Sequence, residues 1–292
     1  MTAQQLVGVV GRGVFPAGHL VVSADDLGFT RGDGVFDATR VVTDRDGRSS
    51  VDHLELHLDR FDASITGIGG TLINRRAWQA TIDEALEQWT LPGEAVLKIM
   101  YSNGQESQHP LGDDLSPTEL FTLTQLTEGA VRDRLGVHVA MLSRGMPSDA
   151  FHDRPWLLGG VKTLSYAVNV AAKREALRRG AQDVLFTTTD GYCLEAPTSA
   201  LVCLLDGRLV TTPIEGTGIL HSITQRVVFD NAARDGFETD IGLITTDEAL
   251  GCEGAWFLSS VRGVVPILTL DGHELPQHDN LTARIRQWAG FA

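Results

Sequence analysis

Lysine is rare in this chain, and one lysine stands where an amine could do covalent chemistry. The 292 residues include 24 basic ones, of which three are lysines: Lys98, Lys162 and Lys173. Lys162 follows an apolar, glycine-containing run and precedes a predicted amphipathic helix over residues 165–179. Because burying an unpaired ammonium group costs several kcal/mol, a lysine there is expected to have a chemical role. Lys173 is predicted to be solvated among arginines, so Lys162 is the first candidate and Lys98 the second.

Two further features could bind an anion. Arg60 lies beside the apolar stripe of a predicted helix over residues 52–66, where a guanidinium could hold a phosphate through paired hydrogen bonds; the alternative is an ordinary surface arginine. A glycine-containing loop leads into a second predicted helix that begins at Ser222, Ile223 and Thr224. The first N–H groups of a helix and its positive dipole end favour phosphate, although Ser and Thr are also common helix caps.

A carboxylate completes the set. Glu195 lies at the end of a predicted apolar strand over residues 192–195, which favours a buried, partnered acid over a surface one. A cofactor with an aldehyde, a phosphate and a basic ring nitrogen would use the lysine, the anion-binding groups and the acid together. Pyridoxal 5'-phosphate is such a cofactor, since its aldehyde condenses with lysine and its ring nitrogen needs a carboxylate partner.

The elements that must position these groups predict an α+β (mixed α/β) chain of two domains. The length is large for one core. Hydrophobic periodicity predicts helices and strands in both halves, among them helices over residues 52–66 and 76–89, with hairpin turns at several Asp-Gly pairs. A polar, turn-prone segment separates the halves, so we predict an N-terminal domain over 1–126, a linker over 127–135 and a C-terminal domain over 136–292.

Composition excludes several classes of function. A net charge of −14 argues against nucleic acid or an anionic membrane as a partner. No apolar run approaches the ~20 residues of a membrane span, and the first residues do not resemble a signal peptide. The three cysteines, Cys193, Cys203 and Cys252, lack metal-ligand spacing, so we predict no metal site and reduced, semi-buried thiols in a cytoplasmic protein.

Six short motifs, taken together and in order, resemble the class IV aminotransferase family, the fold-type IV pyridoxal phosphate enzymes. They are Gly32-Asp-Gly-Val-Phe36, His57-Leu-Asp-Arg60-Phe61, Lys162-Thr-Leu-Ser-Tyr166, Asp190-Gly-Tyr-Cys-Leu-Glu195, Gly218-Ile-Leu-His-Ser-Ile-Thr224 and Phe257-Leu-Ser-Ser260 before Val264-Val-Pro266. The resemblance implies a small N-terminal α+β domain, a larger C-terminal β-barrel-like domain with helices, and a homodimer with its site near the interface.

The resemblance also implies a role for each candidate residue. Lys162 would be the Schiff-base lysine and proton shuttle, Glu195 would pair with the ring nitrogen, and Tyr166 would approach the ring oxygen or the substrate. The groups implied to hold the phosphate are Arg60, Ser222, Ile223, Thr224 and one of Ser259 and Ser260. Family members carry glycine where this chain has Ser222, a change that a backbone contact tolerates.

Within the family, the motifs are most similar to 4-amino-4-deoxychorismate lyases, which form 4-aminobenzoate and pyruvate for folate biosynthesis. Such a substrate carries two carboxylates, and the resemblance implies that Arg31, Phe36 and Lys98 contact it. The alternative for Arg31 and Lys98 is a role in ordinary peripheral salt bridges. The alternative is an aminotransferase acting on branched-chain L-amino acids or D-amino acids with 2-oxoglutarate. A third hypothesis, a non-catalytic homologue, is disfavoured because Lys162, Glu195 and Arg60 are all present.

Overall fold

The computed structural model describes residues 4–107 and 116–291, and the chain divides into two units. The first comprises Met1–Thr127 together with Val161–Ser165, and the second comprises Glu128–Gly160 together with Tyr166–Ala292. The short stretch that contains Lys162 therefore clusters with the first unit, although the sequence analysis placed it in the C-terminal domain. The boundaries of independently folding domains, at 126 and 136, stay a prediction.

The first unit is built on an antiparallel sheet of the order β2-β1-β6-β5-β3-β4. Its elements are β1 (Gln5–Val9), β2 (Gly13–Pro16), α1 (Leu27–Thr30), β3 (Gly34–Thr43), β4 (Ser49–Val51), α2 (Leu54–Gly67), α3 (Arg75–Gln88), β5 (Gly93–Ser102) and β6 (Thr118–Gln125). The apolar stripe of α2, with Leu58, Phe61 and Ile65, packs with α3 against the sheet. The helices predicted over 52–66 and 76–89 are thus confirmed as α2 and α3.

Strand alternation divides β3 and β5 into two faces. Val35 and Val41 of β3 belong to the core beneath α2, whereas Phe36, one residue along, points to the opposite face. Lys98 pairs across the ladder with Ala38, the next residue on the Phe36 face, and lies half-buried on the same face of β5 as Met100. The face that carries Phe36 and Lys98 is therefore not the face that forms the core.

The second unit contains a sheet of the order β11-β10-β9-β12-β13-β7-β8, with β14 paired to β13. Its elements are α4 (Glu128–Arg132), β7 (Val137–Ser143), α5 (Ala167–Arg178), β8 (Asp183–Thr187), β9 (Ala200–Leu205), β10 (Arg208–Thr211), α6 (Ile223–Arg234), β11 (Thr239–Ile241), α7 (Thr246–Leu250), β12 (Gly254–Ser259), β13 (Gly263–Leu270), β14 (His273–Glu274) and α8 (Asp279–Trp288), with short 3-10 turns at Asp133–Leu135 and Pro155–Leu157. The sheet is mixed, since β13, β7 and β8 run parallel.

Both faces of the second sheet are apolar. On β12, Ala255 and Phe257 belong to one core cluster, while Trp256 and Leu258 belong to another that also contains residues of α6 and α8. A strand buried on both faces is a continuous apolar run rather than an alternating one. This explains why the strands of the second half were visible in the sequence as short apolar runs.

Two of the predicted hairpin turns show the backbone that Asp-Gly pairs favour. Asp206 and Gly207 have φ of 49° and 73°, and Asp271 and Gly272 have φ of 46° and 82°. Positive φ at both central residues is the type I′ pattern, which suits the twist of two hydrogen-bonded strands.

The strand predicted over residues 192–195 is wrong. Cys193 donates its N–H to Ile244, whereas Leu194 donates to Phe186, so successive residues bond to different segments. Isolated bridges form in place of a ladder. Phe186 accepts from Leu194 and donates to Glu195, so two residues oppose one and the ladder with β8 is interrupted as in a bulge.

The three cysteines are free thiols, as predicted, but they are fully rather than partly buried. Cys193, Cys203 and Cys252 all belong to the same apolar cluster of the second unit. Burial raises the pKa of Cys193 to about 12, which suppresses the reactive thiolate.

Among the helices of residues 4–107 and 116–291, none combines the length and the apolarity that a membrane span needs.

Candidate active site

Lys162 lies in an extended segment that is bonded to the start of β3. Its carbonyl accepts a hydrogen bond from the N–H of Phe36 at 2.9 Å, and Leu164 donates to Gly34 at 2.8 Å. The close approach requires glycine, because a Cβ at Gly34 would lie 2.5 Å from the Tyr101 carbonyl oxygen.

Two amines lie over one aromatic ring in the first unit. The Nζ atom of Lys162 is 4.7 Å from the ring centre of Phe36, and that of Lys98 is 4.6 Å from the same centre. An ammonium group over an aromatic face is stabilised by the ring quadrupole. Burial lowers the pKa of Lys98 from its usual value. The structure thus brings together three of the predicted site residues.

Arg60 takes part in a buried cluster with Asp37 and His57. Its Nε and Nη2 atoms donate to the two carboxylate oxygens of Asp37 at 2.8 and 2.7 Å. Burial alone would raise the pKa of Asp37, but the guanidinium of Arg60 holds it well below its usual range. Asp37 also fixes the plane of the guanidinium, since two parallel bonds leave it no freedom to rotate.

His57 is the third member of that cluster. Its Nδ1 is 2.8 Å from Asp37 Oδ1, and an ionised carboxylate can only accept, so Nδ1 carries the proton. Burial lowers the pKa of His57 below its ordinary value of 6.5, against the opposing effect of Asp37. The imidazole is therefore neutral near pH 7. Arg60 and Asp37 are the charged members of the cluster.

The backbone places Arg60 and Lys162 near each other. Ser64 lies four residues after Arg60, on the same face of α2, and its hydroxyl accepts the N–H of Lys162 at 3.3 Å. The backbone of Lys162 is thus bonded to α2 about one helical turn beyond Arg60. Arg31, by contrast, lies at the surface and forms a 2.6 Å ion pair with Glu106.

Glu195 is half-buried in the second unit, between buried Leu194 and Ala196. Its Oε1 accepts the N–H of Leu220 at 3.2 Å, and its carbonyl accepts the N–H of Phe186 at 3.0 Å. Although the segment is not a regular strand, the acid is held from both its side chain and its backbone. The loop that holds the carboxylate is the one that leads into α6.

The first turn of α6 contains the residues that are predicted to bind an anion. Ser222 caps the helix, with φ of −73° and its hydroxyl accepting the N–H of Gln225, so the position does not need glycine. The hydroxyl of Thr224 lies 3.0 Å from that of Ser260. Ser259 is the last residue of β12 and pairs with Gly263. Of the two candidate serines, Ser260 is therefore the one that joins a hydroxyl pair at the helix start.

Tyr166 immediately precedes α5. Its hydroxyl donates to the carbonyl of Pro197, and the side chain of Asn169 donates to the same carbonyl at 3.2 Å. This contact ties the start of α5 to the segment that follows Glu195. Within the second unit, the Tyr166 hydroxyl is thus bonded to the residue two positions after Glu195.

Several residues with well-defined geometry were not predicted as site residues. Asp37 and His57 lie inside or beside the quoted motifs, and the helical spacing of His57 and Arg60 was the available signal. Arg134, Asp183 and Arg262 carry no such signal, because an isolated charged residue is most often solvated. Their contacts are formed across the fold of the second unit.

Comparisons with known proteins agree with this geometry. Residues 34–270 match the family described as amino-transferase class IV. A bifunctional aminodeoxychorismate lyase / D-amino acid transaminase of Mycobacterium tuberculosis is 34% identical over 275 residues, which cover 90% of this chain and 91% of the relative. The family match spans most of the chain, from the start of β3 to the end of β13.

Solved structures show the same fold. A hypothetical aminotransferase from Mycobacterium tuberculosis, in its alpha-ketoglutarate and PMP bound form, is 32% identical with a TM-score of 0.89, covering 98% of this chain and 97% of the other. A fold IV transaminase from Curtobacterium pusillum is 34% identical with a TM-score of 0.87, covering 98% of each chain. Fold, motifs and sequence similarity agree, and the chain belongs to the class IV aminotransferase family.

Proposed function

We propose that this chain is a pyridoxal-phosphate-dependent lyase that converts 4-amino-4-deoxychorismate into 4-aminobenzoate and pyruvate. The observation that carries the proposal is the pair of amines, Lys162 and Lys98, over the ring of Phe36. One amine serves the covalent chemistry. The other, Lys98, is half-buried, and a second carboxylate on the substrate would stabilise its charged form there. The relative at 34% identity is named for this lyase activity as well as for a transaminase activity, which supports the lyase as one of two candidates.

Membership of the family makes the chain a pyridoxal-phosphate-dependent enzyme, and the donor set fits that cofactor. The first unit supplies an amine at Lys162 and an oriented guanidinium at Arg60. The second supplies a half-buried carboxylate at Glu195 and the backbone and hydroxyl donors at the start of α6. The residues that would hold the phosphate are Arg60, Ser222, Ile223, Thr224 and Ser260, with Ser259 as the alternative to Ser260.

The bound cofactor supplies an aldehyde carbon that condenses with amines and a ring that accepts an electron pair. Lys162 Nζ would take the proton from the amine-bearing carbon of the substrate. The bond from the ring carbon to the enolpyruvyl oxygen would then break, and the departing group would take up one proton and leave as pyruvate. Glu195 would keep a proton on the ring nitrogen, and Tyr166 would orient the ring oxygen or the substrate. Lys98 and Arg31 bind carboxylates, and the ring of Phe36 excludes water beside the two amines.

A second candidate is transamination, and one observation favours it. The relative at 34% identity is named as both a lyase and a D-amino acid transaminase. The same lysine, acid and phosphate-binding groups would serve both reactions, since both begin by removing a proton from the amine-bearing carbon. D-amino acids or branched-chain L-amino acids with 2-oxoglutarate are the substrates to test.

The proposed lyase acts in folate biosynthesis, in the cytoplasm and as a homodimer. These three statements are supported by the resemblance to aminodeoxychorismate lyases and by the cysteine composition. Sedimentation equilibrium measures the assembly directly. A monomer at micromolar concentration would contradict the homodimer.

The deciding experiment supplies the purified protein with aminodeoxychorismate and, in parallel, with a panel of D- and L-amino acids and 2-oxoglutarate. We expect 4-aminobenzoate and pyruvate in the first assay. Lys162→Ala should abolish turnover in every assay, and borohydride treatment followed by peptide mapping should place cofactor-derived mass on Lys162. Keto acid without 4-aminobenzoate would replace the lyase proposal by the transaminase one.

Lys98 gives the matched test of the substrate. Lys98→Met should raise KM for aminodeoxychorismate at least about tenfold, because a charge-assisted hydrogen bond contributes roughly 1.5–3 kcal/mol. Any transamination of D-alanine, which has a single carboxylate, should keep its KM. Lys98→Arg retains the charge and should recover part of the lyase affinity. Equal losses for both substrates would refute a role in recognising the second carboxylate.

A further inference from the structure

The turn between β12 and β13 is held in place by two arginines. This serine turn, residues 259–263, contains Ser260, whose hydroxyl lies 3.0 Å from that of Thr224 at the start of α6. One arginine, Arg262, belongs to the turn and points inward. The other, Arg134, reaches the turn from the short 3-10 turn Asp133–Leu135.

Arg262 fastens the turn through its side chain. Its Nη2 donates to Asp183 at 2.6 Å and to Ser199 at 2.9 Å, and its Nη1 lies 3.3 Å from Asp133. Lys173 lies 3.5 Å from Asp183, so two cations and two carboxylates form this cluster. Removal of the Arg262 side chain would leave the buried carboxylate of Asp183 without its main partner, which is destabilising.

Arg134 fastens the same turn through its backbone. Its Nε donates to the carbonyl of Arg262 at 2.8 Å, and its Nη2 donates to the carbonyl of Val261 at 3.1 Å. Arg134 is itself held, because Arg286 of α8 donates to its carbonyl at 2.6 Å. Two adjacent residues thus bind different parts of the turn. The carboxylate of Asp133 binds the side chain of Arg262, and the guanidinium of Arg134 binds the backbone carbonyls of Val261 and Arg262.

A hydroxyl contributes to phosphate binding only if it is already in place. An untethered turn would lose conformational entropy when a ligand ordered it, and fixing one residue costs roughly 1–2 kcal/mol. The two arginines have already restricted the two residues that follow Ser260. The predicted interdomain linker over residues 127–135 therefore includes Asp133 and Arg134, which both bind this turn.

We propose that Asp133, Arg134 and Arg262 are positioning residues for the cofactor phosphate, acting through Ser260. They hold the serine turn so that the hydroxyl of Ser260 stays at the first turn of α6. This inference rests on the proposed phosphate contact of Ser260. It assigns a function to a segment outside the family motifs, and to an arginine that follows one of them.

The test titrates apoenzyme with pyridoxal 5'-phosphate and with pyridoxal, which lacks the phosphate, and follows absorbance. The ratio of the two dissociation constants measures the phosphate contacts alone. Arg134→Met should weaken pyridoxal 5'-phosphate about tenfold, a size typical of lost supporting contacts around a site, and leave pyridoxal unchanged. Ser260→Ala should do the same. The double variant should be no worse than either single variant, because both changes remove one contact.

Controls separate positioning from general damage. Arg208→Met removes an exposed ion pair of the same unit, with Asp240 at 3.2 Å, and should leave the ratio unchanged. Arg134→Lys should recover part of the effect. Thermal unfolding reports the folding of each variant; if Arg134→Met does not fold, Arg262→Lys is judged by the same ratio.

Each outcome decides one claim. Additive losses in the double variant, or equal losses for both ligands, would show a structural role and overturn the inference. A changed ratio in Ser260→Ala but not in Arg134→Met would overturn the inference alone. An unchanged ratio in Ser260→Ala would refute the phosphate contact itself, and with it both the inference and that part of the proposed function.

Discussion

Arg60 in the first unit and Arg262 in the second form the same kind of ion pair in different surroundings. Their side chains are 11% and 10% exposed, and each binds an aspartate that is fully buried. Asp37, the partner of Arg60, is shared with a histidine that burial keeps neutral. Asp183, the partner of Arg262, is shared with a second cation, Lys173.

The difference lies in what each arginine is built to hold. Arg60 is oriented by the buried carboxylate of Asp37. It lies one helical turn before Ser64, whose hydroxyl binds the Lys162 backbone. Arg262 contacts two carboxylates and a serine, and its own backbone carbonyl accepts from Arg134. A buried arginine is therefore not a ligand site by its burial alone. The two pairs differ in the group that shares the aspartate, which is a neutral histidine for Asp37 and a second cation for Asp183.

The largest expected effect is on stability, at Arg262. Arg262→Met should lower the free energy of unfolding by about 3–5 kcal/mol, because it leaves a buried carboxylate without its main partner. Urea denaturation followed by circular dichroism measures this. Arg208→Met, which removes an exposed pair, should cost no more than about 1 kcal/mol. Equal losses in the free energy of unfolding for the two variants would show that the buried Arg262 pair contributes no more to stability than an exposed pair.

The next effect is on the cofactor, at Arg60. Arg60→Met should raise the dissociation constant of pyridoxal 5'-phosphate about a hundredfold, since charge-assisted hydrogen bonds contribute roughly 1.5–3 kcal/mol and 1.4 kcal/mol is tenfold. Arg75→Met is the matched control, because Arg75 of α3 is a more exposed arginine that pairs with Asp59 and Asp62 of α2, the helix that carries Arg60. An unchanged affinity for Arg60→Met would make Arg60 a fastening residue like Arg262.

A smaller effect is expected in the pH dependence of stability. The pKa of His57 is lowered by burial, so below about pH 6.5 the unfolded chain binds a proton that the folded chain does not. Stability present above that pH is therefore lost as the pH falls towards the lowered pKa. His57→Gln should make the free energy of unfolding less steep between pH 7 and 5.

His152→Gln, at an exposed histidine, serves as the control for that series. A wild-type stability that rises as the pH falls over this window would contradict a neutral, buried His57. The Arg262 cluster contains no histidine in the part of the chain that the structure describes, so its variants should not change the slope.

The smallest effect belongs to the edge of the second cluster. Asp133→Asn keeps the shape of the side chain but removes its charge, 3.3 Å from Arg262 and half-exposed. We expect a loss of less than about 1 kcal/mol in the free energy of unfolding. A loss as large as that of Arg262→Met would show that the outer carboxylate, and not Asp183, dominates the cluster.

Local patterns were sufficient for most elements. The 3.6-residue period predicted α2 and α3 to within two residues at each end, since an apolar stripe has to face the sheet. Helix α7 was missed, although Thr245 and Glu248 form a capping box that is visible in the sequence. The short strands β4 and β11 were missed because three residues do not establish a period.

Local patterns did not predict which residues form ion pairs or hydrogen bonds with each other across the fold. Arg31 was predicted to bind substrate, and the structure pairs it with Glu106, 75 residues away. Its role as a substrate contact stays a prediction. Ser259 and Ser260 are chemically identical in sequence, and only the packing of the serine turn against α6 distinguishes them.

The sequence by itself determined the chemistry of this protein: a rare lysine, an acid, an arginine and a helix start, in motifs that resemble one family. Residue type and local order carry that information. The tertiary structure decided that Lys98 and Lys162 lie over the ring of Phe36. It also decided that Arg262 forms a buried ion pair with Asp183 and is not a solvated charge. Arg262 and Asp183 are 79 residues apart, and a contact over that distance exists only once the chain has folded. Burial and pairing arise from the whole fold, so no single stretch of sequence contains them.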